Sequence, residues 1–63
     1  MRKIFVIKRL WSNVHMYLKS NGEWTTHFNL AETFTDKKTA KDIVFAACFP
    51  YPISIETLYI KAD

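Results

Sequence analysis

Two histidines, one cysteine and a few scattered carboxylates are the side chains with which this chain could do acid, base or nucleophilic chemistry. His15 and His27 lie on two successive alternating segments. In a hairpin register that sets Leu18 beside Trp24 the two imidazoles face each other, as a shared metal site or the acid and base of a small ribonuclease would require. Two imidazoles without a third ligand make a weak metal site, and no Asp or Glu is spaced to orient either ring. Cys48 falls on the apolar stripe of a predicted helix, where a thiol is a small core residue, and no nucleophile signature surrounds it. Glu23, Glu32, Asp36, Asp42 and Glu56 sit on different elements, with no spacing that pairs them for acid–base work. Gly22 is the only glycine, which excludes a Gly-rich phosphate loop. The residues therefore predict a non-enzymatic chain with no catalytic residue, no metal and no cofactor.

Binding chemistry is better represented. His15, Tyr17, Lys19, Thr25 and His27 share one face of the predicted sheet, with Trp11 nearby from a turn and Tyr59 and Lys61 from the last strand. Such a mixture of aromatic and basic groups can stack unpaired bases and neutralise phosphates. It also suits a protein interface, and a plain solvated sheet face uses the same residue types. Phe45 and Phe49 lie off the helix stripe; either Tyr51 and the proline-rich link cover them, or they form an exposed aromatic anchor. Lys37, Lys38 and Lys41 make a basic helix surface. The candidate partner-binding residues are thus Trp11, His15, Tyr17, Lys19, His27, Phe45, Phe49 and Tyr51.

The elements that must position them follow from periodicity. Lys3 to Arg9 reads as a central strand, because Ile4 to Ile7 are β-branched or aromatic without alternation. Leu10 to Asn13 supply a turn. Val14 to Lys19 alternates, Asn21-Gly22 marks a hairpin, and Trp24 to Leu30 alternates again. A two-residue loop would put the apolar side chains of one strand beside the polar ones of the other. A three-residue loop of Ser20, Asn21 and Gly22, with Gly22 left-handed, instead pairs Lys19 with Glu23 and Leu18 with Trp24, and extends to His15 opposite His27 and Val14 opposite Phe28. Thr35 caps a helix from about Asp36 to Cys48, with Ala40, Ile43, Val44, Ala47 and Cys48 as its apolar stripe, and Pro50 ends it. Ile53 to Lys61 is a last strand. A crossover through the helix would return it parallel to the first strand, giving a mainly antiparallel α+β sheet, βββαβ, in the order 3-2-1-4.

Composition bounds the rest. Sixty-three residues make one domain that hides only about 60% of its unfolded surface, so self-association is an open supplement to a small core. Apolar residues are 49% of the chain, too many for disorder. The apolar runs are too short to span a membrane, and Lys8 and Arg9 interrupt the first before it forms a secretory core, so the chain reads as cytoplasmic. A formal charge of +3 fits phosphates or an acidic protein surface without demanding either.

The order of hairpin, Ala31-Glu32-Thr33, helix from near Asp36, proline and closing strand resembles that of very small bacteriophage early proteins. It is similar in layout to the coliphage inhibitor of bacterial RNA polymerase, although the basic balance departs from a protein that docks on basic enzyme surfaces. The resemblance implies a class: compact host-takeover proteins that bind and inhibit or redirect a host protein of the transcription or defence machinery. From the residues, a single-stranded RNA- or DNA-binding protein using the sheet face is the alternative, and a small His-dependent nuclease a second.

Overall fold

A computed structural model describes residues 2–61. β1 (Arg2–Trp11), β2 (Val14–Leu18), β3 (Trp24–Thr25) and β4 (Ser54–Ile60) form one sheet in the order β3-β2-β1-β4, and α1 (Lys37–Ala47) packs on one face of it. This is the α+β architecture and strand order that the apolar pattern predicts. Ile4 to Ile7 are all buried in the central strand, with Val6 and Ile7 at 0% exposure, as a run apolar on both faces requires.

Both hairpin turns follow local chemistry. Ser12 and Asn13 take φ of 49° and 66°, so β1 and β2 are joined by a two-residue loop of primed type, and β1 continues to Trp11 rather than yielding to a turn at Leu10. Between β2 and β3 the three-residue loop forms as expected. The Lys19 amide donates to the Glu23 carbonyl at 2.8 Å, Gly22 holds φ 87°, and Leu18 pairs with Trp24. Asn21 Oδ1 accepts from the Glu23 amide at 3.0 Å and fixes the bend.

β3 is far shorter than its alternation predicts. The Thr25 hydroxyl accepts from the His27 amide at 3.0 Å, diverting a donor that a ladder would have used, and the chain winds into a 3-10 turn at Phe28–Leu30. Phe28 then meets the Tyr17 ring edge-on, centroids 5.3 Å apart. His27 is therefore not opposite His15, nor Phe28 opposite Val14: His15 pairs with Leu10 and Val14 with Trp11.

After the 3-10 turn the chain re-enters the sheet in line with β2. The Glu32 amide donates to the Leu18 carbonyl at 2.9 Å, and Phe34 exchanges two backbone bonds of 2.8 Å with Phe5 in an antiparallel bridge. That bridge corrects the expected direction of β4, which runs antiparallel to β1 over seven pairs from Arg2↔Ile60 to Lys8↔Ser54. The helix is launched from a segment already antiparallel to β1 rather than from β3, so the crossover restores that direction on the other side of the central strand.

Asp36, not Thr35, is the N-cap: its Oδ1 accepts from the Lys38 amide at 3.1 Å, and its Oδ2 accepts from the Thr39 hydroxyl at 3.4 Å. Ala40 is buried and Ile43 and Val44 are half-buried, but Ala47 and Cys48 are exposed. Cys48 is the C-cap, at φ 49° and ψ 53° in the left-handed region, and it is not a core thiol. The core comprises Phe5, Ile7, Leu18, Phe34 and Ala40, with Trp24, Ile43, Val44, Phe49, Ile53 and Ile55 packed around it.

The two left-handed positions make paired predictions. Gly22→Ala should lower stability by about 1 kcal/mol, because the β-carbon opposes φ 87° although nothing crowds it in space. Cys48→Gly should raise stability by about 0.5–1 kcal/mol by the same physics, a rise of a few degrees (~4 °C) in thermal midpoint by circular dichroism.

Candidate functional site

The sheet register assigns every candidate residue to a face. Leu18 and Trp24 pair, and both lie toward α1, so Tyr17, Lys19 and His15 point to the far face as expected. That face is less open than its residue types suggest. Thr25 is buried, Tyr17 is half-buried with its ring engaged by Phe28, and Lys19 is half-buried; His15 and His27 are exposed but lie apart in the pairing. Trp11 and Tyr59 are on the helix side instead, since Trp11 shares the parity of Ile7 and Arg9, and Tyr59 pairs with Lys3. The far face therefore offers no row of free rings. The facing-histidine arrangement is absent, and no group of three His, Cys, Asp or Glu able to hold a metal occurs among the described residues.

At one end of the helix face, beyond α1, an aromatic knot closes around Arg9. Its guanidinium carbon lies 3.4 Å from the centroid of Tyr51, 4.6 Å from Trp11 and 5.6 Å from Trp24. Trp24 Nε1 donates to the Tyr51 hydroxyl at 3.0 Å, and Phe49 stacks on Tyr51 at 5.6 Å and packs against Trp24 at 5.5 Å. Arg9 Nε is buried with no acceptor, so the cation is held by ring faces, which a weakly hydrated planar guanidinium tolerates. The knot ties the β1–β2 hairpin to the link after α1. Periodicity gives no sign of it, because its members come from three separate segments, β1, β3 and the link after α1; the only sequence signal is Arg9 ending an otherwise apolar strand.

Phe45 and Phe49, grouped together by the sequence, part company. Phe49 is covered by Tyr51 within the knot, whereas Phe45 is left 85% exposed. Phe45 borders an open groove of about 460 Å³ between α1 and β4, lined by Lys37, Lys41, Val44, Phe45, Ile53 and Ile55. The helix spacing explains the wall: positions 37, 41, 44 and 45 recur at i, i+4, i+7 and i+8, one stripe. Ile53, just before β4, and Ile55, within it, enter from the other side. The result is an apolar floor with two ammonium groups beside it and no acid in the lining. With no titratable group or nucleophile other than the two lysines, it can bind but holds no acid–base pair.

No helix among the described residues is long and apolar enough to cross a membrane. The knot and the groove can be told apart by substitution. Arg9→Ala should cost about 1–3 kcal/mol through lost cation–π contact and packing, and the effect should be non-additive with Tyr51→Ala in a double-mutant cycle read by urea denaturation.

No family model matches the chain, and no curated protein or solved structure matches it.

Proposed function

We propose that this chain is a non-enzymatic binding protein that engages a partner protein through the groove between α1 and β4, with Phe45 as its anchor. The observation that carries this reading is the 85% exposure of Phe45 beside a groove floored by Val44, Ile53 and Ile55. A phenylalanine so exposed contributes almost nothing to the stability of the free chain, while aromatic side chains next to apolar pockets supply much of the affinity in protein interfaces. Lys37 and Lys41 favour an acidic partner surface. The resemblance in layout to small phage early proteins gives that partner a class, a host protein of transcription or defence that the chain blocks or redirects.

Single-stranded nucleic acid is the second reading, and Trp11 supports it: the ring is 58% exposed and stacked by Arg9. A base-binding platform needs several such rings, and Tyr17, Trp24 and Tyr51 are engaged within the protein. Protein binding is favoured on that ground.

Affinity capture from candidate host lysate, with and without nuclease, separates the two. Protein binding predicts capture that survives nuclease and falls at least ~10-fold with Phe45→Ala, a loss of about 1.4 kcal/mol or more, with circular dichroism unchanged. Capture abolished by nuclease, together with a steeply salt-dependent gel shift lost in Trp11→Ala, would install the nucleic-acid reading instead.

A further inference from the structure

The backbone parity of β1 determines which polar groups of β4 face outward. Phe5 exchanges both its backbone bonds with Phe34, on the side of β1 away from β4. Antiparallel ladders alternate bonded and non-bonded pairs, so Phe5↔Thr57 is a non-hydrogen-bonded pair, and by the same alternation so are Lys3↔Tyr59 and Ile7↔Ile55. The ladder bonds belong to Ile4↔Leu58 and Val6↔Glu56. The N–H and C=O groups of Ile55, Thr57 and Tyr59 therefore point away from β1, where the sheet order places no further strand among the described residues. The side chains of these three residues lie on the helix face, and Ile55 also lines the groove, so the open edge and the groove meet at that residue.

Edge strands in soluble proteins are usually guarded by proline, a bulge, charge or brevity. β3, two residues long, is guarded by brevity. β4 is seven residues long, contains no proline and keeps unbroken register. Its one charge, Glu56, is on the far face and paired with Lys8 at 3.2 Å.

We infer that β4 accepts an extended segment of the partner protein as a fifth strand, seated between its edge and α1. The segment carries alternate apolar side chains over Val44, Ile53 and Ile55 and an Asp or Glu facing Lys37 and Lys41. This rests on the groove reading and names the chemistry of its occupant. A helical occupant satisfies its own backbone and would leave the edge unpaired. A second copy paired edge to edge would bring its own Lys37 and Lys41 to the same side of the joined sheet, with no acid in the groove lining to meet them.

The probe is a display library of unconstrained twelve-residue peptides selected on the full chain and counter-selected on Thr57→Pro. That substitution removes an outward N–H while leaving the β1 ladder bonds in place, and unchanged circular dichroism with near-native thermal midpoint qualifies it. Lys41→Glu, exposed on α1, is a second variant that does not touch the strand. The expected result is enrichment of peptides alternating Val, Ile, Leu or Phe with Asp or Glu and lacking proline. Binding of a selected peptide should fall at least 10-fold with Thr57→Pro, with Lys41→Glu, and on N-methylation of alternate peptide amides. Its presence should slow hydrogen exchange at Ile55, Thr57 and Tyr59, whose amides point away from β1 in the free chain. Three results would overturn the inference: no sequence enriched, binding indifferent to N-methylation, or a concentration-dependent dimer abolished by Thr57→Pro. A peptide or protein whose binding is lost with Phe45→Ala yet untouched by Thr57→Pro sinks the strand addition and leaves the groove reading standing.

Discussion

The two backbone bonds between Phe5 and Phe34 decide most of this structure. β2 is only five residues long and pairs with the second half of β1, so the first half would otherwise present unpaired N–H and C=O groups beside the core. Phe34 fills that place. In doing so it brings its own ring into the core and sets the chain antiparallel to β1 just before the helix begins. Direction of β4, identity of its outward-facing residues and placement of α1 all descend from that one bridge.

A second constraint is the narrow foot on which α1 stands. Ala40 is its only fully buried residue, and Ile43 and Val44 are half-buried. With only a small residue filling the contact, α1 meets the sheet along a narrow line, and the flank toward β4 is left as an open groove. Larger residues at 41 and 37 would have closed that flank had they been apolar; being lysines, they keep their heads in water and leave only their stems against the floor. The groove is thus a consequence of composition at four helix positions and not of a missing element.

Much of this was legible in the residues. The Asn21-Gly22 pair, weighed against burial, fixed a three-residue loop and the pairing of Leu18 with Trp24; the unalternating Ile4–Ile7 run fixed the central strand; the stripe around Ala40 fixed which side of the helix meets the sheet. What escaped has a common physical character. Thr25 has good strand propensity, yet its hydroxyl ends β3 by capturing a local amide, and propensity does not distinguish the two uses of a threonine. The direction of β4 depends on Phe34, a single residue with no periodic context. The Arg9 knot gathers groups distant in sequence, and the open edge of β4 depends on hydrogen-bond parity, which exists only once partners are known. The exposure of Phe45 follows from its distance from the helix stripe, whereas Tyr17 and His15 lie on the expected face with different neighbours, and His27 falls outside the strand pairing altogether.

The separate fates of Phe45 and Phe49 show how the fold prepares its surface. At i and i+4 on a continuous helix the two rings would share one face and cover each other, and Phe45 would lose most of its exposed area. The helix stops at Ala47, and Cys48 takes the left-handed conformation, donating its thiol proton to the Phe45 carbonyl at 3.4 Å. That single reversal swings Phe49 toward Trp24 and Tyr51, where it completes the knot around Arg9, and leaves Phe45 alone at the mouth of the groove. The left-handed turn costs about 1 kcal/mol for a residue with a β-carbon, and the aromatic contacts it releases into the knot, each about 0.5–1.5 kcal/mol, exceed that cost. A strained cap therefore divides one pair of phenylalanines between the aromatic knot and the exposed rim of the groove.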